Sequence, residues 1–297
     1  EFRRVLFRSP LLQSGLYQPT GMSLWLDAAD ASTITHSSNA VSQWSDKSGN
    51  SNHATQGTAA NQPTLTSSGL NGKPVITFDG TSDYFDVNLD FLADVSHSAF
   101  VVLKTSGYSN IYGAASASSG SNSLHVGFQN NSTFRMNYWG NDWTPTVPSS
   151  LDSSGFNTLS FIWTKNTNKS LFVNGQSAGT SSSAGNVGTM AGGGRISNVV
   201  GQGYLGGQMG ELIIFNSAKS DADIAKIEGY LAHKWGLTGS LASGHPYKST
   251  TINQPVVTVD SVGSTSGTAS VTILETGGAD VSINYYYGTT EIGRAHV

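Results

Sequence analysis

The chain has 297 residues, enough for one large β domain or two small ones. Charged residues make up 11% of it, far below the roughly 25% of an average soluble protein, and a net charge of −4 without a basic run gives no case for nucleic acid, so no nucleic-acid partner is expected. It contains no Cys, which rules out disulfides, Cys-ligated metals and cysteine nucleophiles, and no apolar run approaches the ~20 residues of a membrane span, so no membrane insertion is expected.

The two ends read differently from the middle. Arg3-Arg4-Val5-Leu6-Phe7-Arg8-Ser9 is encoded by AGA CGT GTG CTC TTC CGA TCT, and the reverse complement of that string, in a shifted frame, gives Ile292-Gly293-Arg294-Ala295-His296-Val297. One DNA word of the sequencing-adapter kind accounts for both termini, so residues 1–9 and 292–297 are set aside. The other reading of residues 1–9 is a basic arm. Residues 10–21 are then an upstream tail, and the chain is expected to be a fragment of a larger, secreted-type protein.

From Met22 onward the pattern is short period-2 runs between turn clusters, the mark of strands. Strands are predicted at Ser23–Leu26, Val41–Trp44, Pro74–Phe78, Tyr84–Val87, Ala99–Lys104, Asn110–Ala114 and Ser123–Phe128. More follow at Thr133–Trp139, Thr158–Trp163, Ser170–Val173, Val199–Gly201 and Gln208–Phe215. Asn174-Gly175 is the clearest hairpin signal, because both residues tolerate the positive φ of a two-residue turn. So many strands without intervening helices predict two packed antiparallel sheets. One amphipathic helix is expected from Asp221 to about Trp235. Ser220 is its N-cap, Ile224, Ile227, Leu231 and Trp235 form its apolar stripe, and Gly236 is its stop. It should cap the sandwich. Residues 248–253 read as a Ser/Thr-rich linker, and residues 254–291 as a truncated immunoglobulin-like or fibronectin-III-like module, too short for the about 100 residues such a fold needs.

Five strings resemble the bacterial laminin-G-like branch of the concanavalin A-like lectin and glucanase jelly rolls. They are Leu24-Trp25-Leu26-Asp27-Ala28; Trp44 to Asn50 with Asn52-His53-Ala54; Phe78-Asp79-Gly80-Thr81-Ser82-Asp83-Tyr84; Gly210 to Asn216; and Tyr230 to Gly236. The resemblance spans about residues 22–247. It implies an all-β, two-sheet antiparallel jelly-roll sandwich with one C-terminal capping helix. It also implies an extracellular or cell-surface setting, as one module among several. It does not imply one ligand, since this fold hosts lectins, adhesins, hydrolases and spacers.

Glycosidases of the resembling fold carry two Glu on one strand, as Glu-x-Asp-x-x-Glu, and retaining chemistry needs such a pair about 5–5.5 Å apart. Here the central body has only Glu211 and Glu228, on different elements, so no enzyme is expected. Asp79 with Asp83, and Asp86 with Asp90, read as polar turns or a metal site. A calcium ion takes about 6–8 oxygens, and the Asp46–Asn52 loop offers several. In similar domains this loop and the acid at the start of the last strand share a calcium ion, which implies Asp46, Asn50 and Glu211 as ligands. The alternative is that Asp46 and Asn50 only build turns while Glu211 pairs locally. For a sugar, aromatic faces beside amides and carboxylates are wanted. Asn137, Trp139, Asn141, Asp142 and Trp143 supply both within one short stretch, and Tyr112 could join them from a neighbouring strand. The alternative is that Trp139 faces the core and Trp143 covers a sheet edge. The expected function is a carbohydrate-binding or adhesive module taking a polysaccharide or glycan. A structural spacer and a divergent glycoside hydrolase are the alternatives.

Overall fold

Strands form wherever the chain alternates, and a computed structural model shows how they stack. It describes residues 17–105, 107, 109–116, 122–130, 132–137, 141–182, 188, 190, 193–199 and 203–251, and the backbone of four strands within 256–296. Pro19–Ser249 form one unit, and residues 1–18 with 250–297 form another.

In the first unit the strands are β1 (Leu24–Asp27), β2 (Ile34–Ser37), β3 (Ala40–Trp44), β4 (Ala54–Thr55), β5 (Thr64–Leu70), β6 (Lys73–Asp79), β7 (Phe85–Val87) and β8 (His97–Thr105). They continue as β9 (Ser109–Ala114), β10 (His125–Asn130), β11 (Thr133–Asn137), β12 (Asn157–Thr164), β13 (Asn168–Val173), β14 (Gln176–Ser181), β15 (Gly194–Ile196) and β16 (Gly206–Phe215). One leaf runs β11-β10-β9-β15-β7-β4-β3, with β2 on β3; the other runs β5-β6-β16-β8-β12-β13-β14, with β1 on β16. The leaves are joined at one edge by the single pair Ala40–Thr64 between β3 and β5. Aromatic rings close them face to face. Phe161 of β12 lies 4.9 Å from Phe134 of β11 and 6.4 Å from Tyr112 of β9, centroid to centroid, and Phe78 of β6 lies 5.9 Å from Phe85 of β7. The fold is the two-sheet antiparallel sandwich that the alternation predicts, in the jelly-roll form that the resemblance implies.

β8 is buried at nearly every position, because its leaf is covered on both sides. One face meets the opposite leaf and the other meets α1 (Asp221–Trp235). The helix begins and ends where its caps predict. The Ser220 side chain accepts from the Asp223 N–H, and Gly236 takes the left-handed conformation at φ +71°. The Asn174-Gly175 turn also forms as expected, with φ +51° and +74°.

β16 carries the device that fits the helix to the sheet. Its first half pairs with β6 and its second half with β1, while β8 flanks the other edge throughout. The register against β8 shifts between Met209 and Glu211, so Gly210 is a bulge. A bulge bends its strand and re-aims the next side chain. Here Met209 and Leu212 face the core, and Glu211 turns to the helix. A Cβ on Gly210 would sit 3.0–3.1 Å from the Trp235 ring. The absent side chain is the space the indole occupies.

Several strands escaped the alternation argument. β2 is exposed at three of its four positions, and β5 is mostly polar with only Leu70 buried, so neither shows a hydrophobic face in sequence. β15 forms at Gly194–Ile196, ahead of the expected strand at Val199–Gly201, whose residues 200 and 201 lie outside those described. In the second unit, β17 (Val256–Val262) pairs with β18 (Ala269–Glu275), and β19 (Ser282–Tyr287) pairs with β20 (Thr290–His296), both antiparallel.

Gly210→Val should overpack the Trp235 site. The expected loss is about 1–3 kcal/mol, read as a fall in Tm of about 2–4 °C per kcal/mol. An unchanged thermal transition would show that the indole does not rest there.

Candidate functional site

Residues 141–146, beyond β11, are braced against that strand and its neighbours. Met136 N–H donates to the Trp143 carbonyl at 3.0 Å, and Phe134 N–H donates to the Pro145 carbonyl at 2.9 Å, so residues 143–146 run beside β11 as an added edge. The Asn137 side chain accepts from the Trp143 N–H at 2.7 Å. Trp143 is thereby held at both its N–H and its carbonyl. Its indole is half-buried, with Cζ2 3.9 Å from where a Cβ on Gly179 of β14 would lie.

Lys169 supports the loop from below. It is fully buried, and its ammonium donates to the Met136 carbonyl at 3.1 Å and to the Asn141 carbonyl and side chain. It also sits 4.2 Å above the Trp163 ring. Burial pushes its pKa down to about 8, against the pull of Asp142. Asp142 is exposed and Asn141 half-buried. The structure therefore brings Asn141, Asp142 and Trp143 together on one short stretch, with Asn137 as their brace. Tyr112 is not with them. It is wholly buried against Phe161, and burial pushes its phenol far up. A ring enclosed in this way has no face to offer a ligand at the surface. Trp139 lies outside the described residues.

The other predicted set, Asp46, Asn50 and Glu211, is placed around Trp25. Asp46 accepts the Trp25 N–H at 2.9 Å, and Glu211 accepts the Trp25 indole N–H at 2.7 Å. Both Asp46 oxygens are already used: Ser48 N–H and the Ser48 hydroxyl each lie at 2.8 Å, and Asn52 N–H at 3.0 Å. The Asn50 amide donates to the Met22 and Ser23 carbonyls at 3.0 and 3.4 Å. Glu211 is fully buried, and its remaining partners are Tyr230 hydroxyl at 2.9 Å, Trp235 indole N–H at 2.7 Å and the Lys234 ammonium at 2.7 Å. These oxygens point at N–H, O–H and ammonium groups, which does not fit the all-oxygen shell of a calcium ion. Among the described residues no three His, Asp or Glu side chains converge on one metal position.

Neither Glu is set out for hydrolysis. Glu228 on α1 accepts the Ser160 hydroxyl at 2.7 Å and meets His245 Nε2 at 3.2 Å, while Glu211 is enclosed as described. The Asp pairs are turn builders. Asp79 accepts the N–H groups of Thr81, Ser82 and Asp83 at 2.8–3.0 Å and two hydroxyls besides. Although desolvation raises its pKa, these donors hold it well below the usual carboxylate range. Asp83 is pushed up to about 6 by burial and by the charge of Asp79. Asp86 pairs with Arg195 across β7 and β15 at 2.9 Å, and Asp90 opens a short 3₁₀ turn. Among the described residues no helix is long and apolar enough to cross a membrane.

Comparison with known proteins agrees with this architecture. Residues 79–225 match the family model of the concanavalin A-like lectin/glucanases superfamily. No curated protein sequence matches the chain. One similar solved structure is domain 4 of AbnA, a GH43 extracellular arabinanase from Geobacillus stearothermophilus, in complex with arabinotriose. The TM-score is 0.51 at 12% identity, over 70% of this chain and 98% of that one. A second is an arabinofuranosidase complexed with arabinofuranosyl-alpha-1,2-xylobiose, with a TM-score of 0.52 at 14% identity, over 66% of this chain and 51% of that one. This chain therefore spans about half the length of the second structure. At such identities the likeness shows the fold: a concanavalin A-like jelly roll. The comparisons give no support to an immunoglobulin-like or fibronectin-III-like module at residues 254–291.

The Asp79–Asp83 turn sets a pH dependence. A folded-state pKa near 6 lies above the ordinary value of 3.8. The stability Asp83 contributes is thus present below about 3.8 and lost as pH rises through about 6. Asp83→Asn keeps an oxygen for the Asp79 N–H and cannot ionise. It should raise Tm at pH 8 by about 2–4 °C and leave it unchanged at pH 4. Equal shifts at both pH values would contradict the assignment.

Proposed function

We propose that this jelly roll is an extracellular glycan-binding module that holds a polysaccharide weakly and does not cleave it. The observation that carries the reading is Trp143, a half-buried residue whose backbone N–H and carbonyl are both held, next in sequence to the exposed Asp142 and close to Asn141. A flat ring carried on a braced backbone near planar polar groups is suited to a sugar, whose C–H face stacks while its hydroxyls seek acceptors and donors. The fold supports it as well. Domain 4 of the arabinanase, nearly all of which is matched here, was solved with arabinotriose. One or two aromatic contacts give modest affinity, which several tethered modules in a larger parent would multiply.

The test is retention of the full chain on insoluble arabinan, xylan and cellulose, with Trp143→Ala beside the wild type and a reducing-sugar assay on the supernatant. Retention should fall about two- to twelve-fold in the variant, the equivalent of about 0.5–1.5 kcal/mol for one ring contact, and no sugar should be released. Release of sugar would identify a hydrolase. Equal retention of the variant would remove Trp143 from the site. Failure of the folded wild type to bind any glycan would leave a spacer role as the better account.

A further inference from the structure

The acidic cluster on the outer face of β1 and β16 contains its own cations. Asp27 and Glu211 lie directly opposite each other on adjacent strands, with side chains 4% and 0% exposed. Like charges so placed repel, and they are expensive to bury unless something positive sits between them. The Lys234 ammonium does so, 2.8 Å from Asp27 Oδ1 and 2.7 Å from Glu211 Oε2. Lys47, from the loop after β3, takes the other Asp27 oxygen at 2.9 Å and Asp30 at 2.8 Å. Its ammonium also lies 4.3 Å from the centroid of the Trp25 ring.

We infer that Lys234 and Lys47 take the place of a divalent cation here, so that the domain closes its Asp27–Asp30–Glu211 cluster without metal and docks α1 through Lys234. Three observations converge on this. Each ammonium bridges two carboxylates, as a metal ion would. The remaining Glu211 contacts are the neutral donors Trp25, Trp235 and Tyr230, which serve a carboxylate and would point their hydrogens at a metal. The loop carbonyls of Met22 and Ser23, the other oxygens a cation could recruit, are taken by the Asn50 and Asn52 amides. Tyr230 remains the donor to Glu211, since burial first, and then the Glu211 and Asp27 charges, push its phenol far up. Lys234 also reaches the Tyr230 hydroxyl at 3.1 Å. The helix, β1 and β16 therefore meet at one ammonium.

The experiment uses the full chain and the calcium and terbium ions themselves. The wild type should melt at the same temperature in millimolar calcium as in EDTA. It should also give no terbium luminescence on excitation of its indoles, two of which, Trp25 and Trp235, touch Glu211. Lys234→Met should lose about 10 °C in Tm in EDTA, since it strands two buried carboxylates. The double variant Lys234→Met with Asp27→Asn should lose clearly less than the sum of the two single losses. A calcium-induced rise in the wild-type Tm, or sensitised terbium emission from it, would overturn the inference without any variant having to fold. So would a Lys234→Met protein as stable as the wild type in EDTA, or strict additivity in the double variant.

Discussion

Four donors surround one carboxylate at the centre of the outer face, and much of the architecture follows from satisfying it. Glu211 is fully buried. A buried carboxylate persists only where hydrogen bonds and opposite charge replace the water it has lost. Its donors come from β1 through Trp25 and from α1 through Tyr230, Lys234 and Trp235. Those three helix residues must therefore face the sheet at one height and one rotation, which fixes the docking of α1 more narrowly than its apolar stripe would. The Gly210 bulge belongs to the same constraint, because without it Glu211 would not turn toward the helix and the indole would have no room. Residues about 186 positions apart in the chain meet here, so the first strand and the last helix close the domain together.

The sparse charge of the sequence is spent on tasks of this kind. Lys47 and Lys234 neutralise the acids around Trp25. Lys169 is buried under the Asn141–Trp143 loop. Arg135, also buried, donates to the Asn110 side chain at 2.7 Å. With these cations drawn into ion pairs or the interior, several of the acids are left exposed, among them Asp86, Asp90, Asp142 and Asp152.

Legibility in the sequence tracked how local the deciding interaction was. The helix from Asp221 to Trp235 was readable to the residue, because Ser220, the apolar stripe and Gly236 act within a few turns. The Asn174-Gly175 turn was equally local. β5 was not readable, since an edge strand with two polar faces has no period to detect. Tyr112 shows a second limit. All six residues of β9 are buried, so alternation could not tell which of its side chains face the opposite leaf. Glu211 shows a third. An acid leading an apolar strand looks the same in sequence whether its counter-charge is a metal or a lysine on a distant helix. Lys234 could be explained by the helix dipole alone, so nothing in one dimension joined the two. The signal that was present is Asp27, another acid in a run of apolar residues, opposite Glu211 only once the strand pairing is known.

The same distinction between local and distant interactions bears on how Trp143 can act. Ordering a rotamer-rich loop on binding costs free energy that is deducted from affinity. Here residues 141–145 are held beforehand, by Asn137 and β11 on one side and by the Lys169 ammonium beneath. The two braces differ in kind. The Asn137 contact is neutral and indifferent to pH, whereas Lys169, held down to about 8 by burial, loses charge just above neutrality while keeping hydrogens to donate. The loop thus rests on one fixed support and one that weakens in alkali, and its indole is presented without first having to be gathered from a disordered state. On the reading proposed above, selectivity would come from a braced backbone around one flat face rather than from a deep cavity.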